Sequence, residues 1–97
     1  MKVALSPASQ RDIRKIVLYV AGDSPTRARS FGLDLRRRCH AVGSAPHIYP
    51  LAQHLGEGVR FVKHSAYLIF YVVESDRVWI RRVIHGARMI SADMVRS

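Results

Sequence analysis

The chain is poor in the residues that staple or anchor a small protein. Cys39 is its single cysteine, so it has no intramolecular disulfide framework, and a reducing compartment fits. With one thiol and five scattered histidines, no zinc-ligand spacing appears, and neither metal nor cofactor is expected. No apolar run approaches the roughly 20 residues that cross a bilayer. The opening "MKVALSPASQRD" turns polar after Leu5, too soon for the apolar region of a signal peptide. The expectation is a cytoplasmic protein with no membrane role. Acidic residues are scarce too: seven Asp and Glu stand against sixteen Lys and Arg, for a formal charge of +9. Lysine is itself rare, because thirteen of those sixteen cations are arginine.

The arginine bias has a chemical reading. A planar guanidinium grips phosphate or carboxylate with two parallel hydrogen bonds, so this surface suits nucleic acid or an acidic protein. The 48% apolar content is that of a folded chain, and residues 1–97 make one domain, because a second would lack a core.

Two stretches carry the same helix-start signature. In "LSPASQRDI" Ser6 can cap and Pro7 takes the first helical position, where its missing N–H is harmless; Ser24 and Pro25 repeat the device. Ile13, Ile16, Val17 and Val20 form the apolar stripe of the first helix, stopped near Gly22. The second, roughly Pro25 to Val42, buries Ala28, Phe31, Leu35, Cys39 and Val42 and ends at Gly43, with Arg29, Arg36, Arg37 and His40 opposite. On that stripe Cys39 reads as a small core side chain. A three-residue turn makes the pair an antiparallel hairpin. Gly43 to Gly58 is a loop punctuated by Pro46 and Pro50.

Three strands follow: Val59 to Lys63, Tyr67 to Glu74 and Val78 to His85, a meander whose almost wholly apolar middle member is central. Lys2 to Leu5 is a fourth, at an edge. The order βααβββ predicts an α+β fold, a helical hairpin packed on one face of a small twisted antiparallel sheet with the other face open. Plain alternation sets Val78, Ile80, Arg82 and Ile84 on one side of the last strand and Trp79, Arg81, Val83 and His85 on the other, unless a bulge intervenes. Ser91 to Ser97 is expected as one helical turn or a frayed end.

These features, taken in order, resemble the ParE/RelE toxin superfamily, and its ParE branch in particular. The resemblance rests on "LSPASQRDIRKIVLYV", "RARSFGLDLRRRC", the loop with Pro46 and Gly56, Arg60, "YLIFYVV" and above all "VWIRRVIHGAR". It implies a RelE/ParE-like fold and the toxin of a bacterial toxin–antitoxin pair. Its partners would be a ParD-like antitoxin, in a hetero-oligomer, and DNA gyrase as target. RelE-like relatives instead cleave mRNA on the ribosome, using an arginine near the start of the central strand and often a C-terminal Tyr or His. Here that strand opens Ala66-Tyr67-Leu68-Ile69, and His85 is followed by Gly86-Ala87-Arg88. Losing one such transition-state contact costs about a hundredfold or more in rate, so a gyrase-binding inhibitor is favoured over an enzyme. No catalytic residue is then required; a ribonuclease would draw on Arg60, Lys63, Arg82 and His85.

The residues assigned to partner binding are Arg60, Arg82, His85 and Arg88. Each of the first three has a structural alternative: Arg60 as an anchor on a carboxylate or carbonyl, Arg82 held by a fixed partner, His85 hydrogen-bonded in place. Arg88 lies beyond the pleat and is the exposed contact, with Gly86 turning the chain before it. Trp79 and Tyr71 read as core, and Arg36 to Arg38 as a solvated face. Direct nucleic-acid binding is secondary, since the sequence shows no aromatic-plus-basic stacking motif on the sheet.

Overall fold

The computed structural model describes residues 1–96. Its elements are β1 (Lys2–Leu5), α1 (Pro7–Ala21), α2 (Pro25–Ala41), β2 (Arg60–His64), β3 (Tyr67–Glu74) and β4 (Arg77–His85), with 3-10 turns at Val42–Ser44, Gln53–Leu55 and Ala92–Val95. Both helices start as their sequences dictate. The Ser6 hydroxyl accepts the Ser9 N–H at 2.9 Å and that of Ser24 the Arg27 N–H at 3.3 Å, each with proline at the first helical position.

The sheet order is β1-β4-β3-β2. The meander is antiparallel, whereas β1 runs parallel to β4, with Lys2 opposite Arg77 and Leu5 opposite Ile80, so the sheet as a whole is mixed. The reason is the crossover: β1 reaches β4 only after the helical hairpin and the long loop, and enters the edge in the same direction.

Both faces of the sheet are covered, which corrects the expectation of an open one. Toward the helices, Ile69, Tyr71, Val78, Ile80 and Val83 pack with Ile13, Ile16, Leu35 and Cys39. On the outer face Phe70, Val72 and Ile84 pack with Ala52, Leu55 and Val59 of the loop and with Val95 of the last turn. A strand apolar on both sides needs a second layer, and the 43–58 loop with the Ala92–Val95 turn supplies it. The helices approach closely at Gly32, where a Cβ would lie 2.8 Å from a Val17 methyl. Gly43 does not merely end a helix: a Cβ there would collide with the Met1 carbonyl, and the Met1 amino group donates to the Gly43 carbonyl at 3.1 Å.

A bulge divides β4. Tyr71 faces Ile80 but Phe70 faces Arg82, so Arg81 is the extra residue. The plain alternation therefore fails beyond it. Val83 joins Val78 and Ile80 in the core under the helices, and Ile84 joins Trp79 on the outer face.

Candidate partner-binding site

The site begins where β1 stops. Its last ladder bond leaves the edge of β4 beyond Ile80 uncovered, and two side chains, Ser6 at the cap of α1 and Asp12 in its second turn, take over, with Ser9 bracing the cap. The Ser6 hydroxyl donates to the Arg81 carbonyl at 2.8 Å, and the Ser9 hydroxyl donates to the Ser6 carbonyl. Asp12 accepts the Val83 N–H at 2.9 Å. Ser6, Ser9 and Asp12 recur every three residues, so one face of the helix stands in for a missing strand.

Arg82 completes this junction. Its Nε and Nη2 donate to the two Asp12 oxygens at 2.7 and 2.9 Å, and Nη1 donates to the Met94 carbonyl at 2.8 Å. The bond to Asp12 raises the Arg82 pKa further, against the opposing effect of burial. Arg81 adds a 3.4 Å bond to the Val95 carbonyl. The "RR" pair thus ties the last turn to the sheet, with two cations on its terminal carbonyls.

The remaining assigned residues lie in different surroundings. Arg60 donates to the carbonyls of His47 and Tyr49 at 3.2 and 2.6 Å, so it anchors the loop in the way its carbonyl alternative describes. The Tyr71 hydroxyl donates to the Pro46 carbonyl at 2.6 Å, and burial pushes its pKa up to about 12. Arg38 leans over the Tyr49 ring at 5.6 Å, so the 36–38 run is not solvated throughout. Arg88 is exposed in the turn after β4, its N–H donating to the His85 carbonyl at 3.1 Å. His85 is exposed too, and its Nδ1 accepts the Ala87 N–H at 3.0 Å, so in the neutral ring the proton sits on Nε2.

Only His85 and Arg88 come together. They share a cleft of about 130 Å³ with Asp12, Lys15, Ile16 and Tyr67. The four residues of the ribonuclease alternative do not converge. Arg60 and Lys63 are three positions apart on β2 and so project to opposite faces. Arg60 is level with Tyr71, whereas His85 is level with Tyr67, four residues or about 13 Å away along β3. Among the described residues no group of three or more His, Cys, Asp or Glu could hold a metal ion. Nor, among the described residues, is any helix long and apolar enough to cross a membrane.

Two features escape a reading of the sequence. Asp12 is one; its signal was an acidic residue beside the Ile13 and Ile16 stripe. The other is a set of rings at one end of the sheet. His64, Tyr67 and His85 face one another across three strands, and Phe31 of α2 tilts onto His64 and Tyr67. They come from four segments, so no local motif announces them.

A profile of the family described as "ParE toxin of type II toxin-antitoxin system, parDE" matches residues 3–90. No curated protein matches the chain. Among solved structures nine chains match. One, from a chromosomal ParDE toxin–antitoxin system of P. aeruginosa, has 17% identity and a TM-score of 0.67, covering 88% of this chain and 95% of that one. At that identity the likeness is one of fold. The profile spans nearly the whole domain, and on that ground this chain belongs to the ParE toxin family of type II toxin–antitoxin systems.

Proposed function

We propose that this toxin acts in the cytoplasm by binding DNA gyrase directly and inhibiting it, and that a ParD-like antitoxin neutralises it. The observation that carries this reading over a ribonuclease is the state of Arg82. Its guanidinium is held by Asp12 and Met94, and neither Arg60 nor Lys63 of β2 converges on His85. A phosphate-stabilising arginine needs donors aimed at the reacting group, and three of the five N–H groups of Arg82 are already engaged elsewhere. The +9 charge supports an acidic antitoxin segment as partner. An apolar groove of about 150 Å³ on the outer face, lined by Leu55, Phe61, Leu68, Phe70 and Ile90, offers anchor sites for its apolar side chains. Gyrase supercoiling with purified toxin tests the proposal, beside an mRNA cleavage assay in a translating extract. Loss of supercoiling with intact mRNA is expected; cleavage lost on His85→Ala, with gyrase unaffected, would replace the proposal by the RelE-type activity.

A further inference from the structure

The row of rings has no part in the junction around Arg82, nor in any contact that holds the loop. His64 lies directly opposite Tyr67, and Tyr67 directly opposite His85, so the three share one face at successive strand spacings. Neighbouring strands are about 4.8 Å apart, so the row spans about 10 Å. The Tyr67 and His85 rings meet edge to face at 5.2 Å, and Phe31 tilts onto His64 at 5.7 Å and Tyr67 at 5.8 Å. None of the four is fully buried: Phe31 and Tyr67 are half-buried with one side backed by the core under the helices, His64 is half-buried, and His85 is exposed.

Two grooves meet at Tyr67. One, of about 420 Å³, runs between the helices and the β2–β3 turn, bounded by Arg27, Ser30, Phe31, Asp34 and Ser65. The other is the cleft of His85, Lys15 and Arg88. Each contains one carboxylate, and each carboxylate has a cation of its own: Asp34 lies 3.7 Å from Arg37, and Asp12 is gripped by Arg82. Lys15, Arg27 and Arg88 make no ion pair with any described residue, and they flank the rings on both sides.

We propose that this track binds single-stranded nucleic acid, with unpaired bases stacking on Phe31, Tyr67, His64 and His85 and phosphates meeting Lys15, Arg27 and Arg88. Ring faces accept any base, while cations follow the backbone, which is the combination that binds single strands without reading sequence. Hydroxyls of Ser30 and Ser65 and the His85 Nε2–H add donors for phosphate or sugar oxygens. An acidic peptide would satisfy the three cations but would offer the rings no π-face. A duplex keeps its bases stacked and away from them.

The test needs no gyrase, so its failure leaves the proposed target untouched, and failure of gyrase inhibition leaves this surface standing. Fluorescence anisotropy would follow a labelled oligothymidylate of about ten nucleotides. Three phosphate contacts predict a log–log salt slope of about −2. His85→Ala and Tyr67→Leu should each weaken binding about tenfold. Arg27→Ala should weaken it and flatten the slope, whereas Arg29→Ala, on the far side of α2, removes the same charge and should leave both unchanged. His85 is a surface side chain, so that variant tests the idea even if Tyr67→Leu misfolds. Equal loss from Arg27→Ala and Arg29→Ala, affinity indifferent to the rings, or tighter binding of duplex or a Glu-rich peptide would overturn it.

Discussion

Asp12→Ala is the sharpest perturbation of the fold. It removes both carboxylate oxygens that accept from Arg82 and the partner of the Val83 N–H, three hydrogen bonds in all, and leaves Arg82 only the Met94 carbonyl. The Asp12 and Arg82 side chains are 12% and 22% exposed, so water replaces those bonds only in part. Breaking a buried pair costs about 3–5 kcal/mol; the position at a sheet edge lowers that to about 2–4 kcal/mol. For a domain of this size, roughly 4–8 °C of Tm accompanies each kcal/mol, so Tm should fall by about 8–32 °C. Asp12→Asn keeps an acceptor for Val83 but loses the charge and should cost about half as much. Arg82→Met combined with Asp12→Ala removes the orphaned cation. The double variant should therefore lose less than the sum of the singles, with a coupling of about 1.5–3 kcal/mol. Urea unfolding followed by circular dichroism measures all five proteins, the parent, the three single variants and the double. A loss below about 0.5 kcal/mol for Asp12→Ala, or strict additivity in the cycle, would refute the claim that this pair replaces a strand.

Gly43→Ala should cost about 1–3 kcal/mol in the same assay, because the Cβ meets the Met1 backbone rather than a movable side chain; an unchanged midpoint would contradict that contact. Burial pushes the Cys39 thiol and the Tyr71 phenol each up to about 12. Raised folded-state values mean stability that is complete below the unfolded values near 9 and 10 and lost as pH rises toward 12. A pH series of urea midpoints should show that decline, shallower in Tyr71→Phe, and a flat profile over that range would be inconsistent with it. Burial also predicts that a thiol reagent at neutral pH leaves native Cys39 unmodified and labels it once urea unfolds the chain; rapid labelling of the native protein would be the contrary result.

Much of the architecture was legible because local signals were strong. Ser6-Pro7 and Ser24-Pro25 mark both helix starts, and the stripe from Ile13 to Val20 and the apolar run of β3 show what each element buries. What escaped was non-local. The bulge at Arg81 leaves no trace in "VWIRRVIH", yet it moves Val83 from one face to the other. The outer layer escapes the sequence because Ala52, Leu55 and Val95 lie in segments with no periodicity. Arg82 was read as a strand arginine in need of a fixed partner, and Asp12, 70 residues earlier, is that partner. The rings of Phe31, His64, Tyr67 and His85 meet only through register and helix docking, so the expectation of a sheet without aromatic stacking is corrected by contacts that no local pattern encodes.

The proposed function is arrest of gyrase without cleavage of RNA. Relaxed plasmid, gyrase and ATP, titrated with the purified toxin and then with a matching antitoxin, test it most directly. The account predicts supercoiling that falls with toxin and returns with antitoxin, in Arg82→Met as well wherever that variant is folded. Full supercoiling at saturating toxin, with mRNA cleaved in a translating extract, would contradict it.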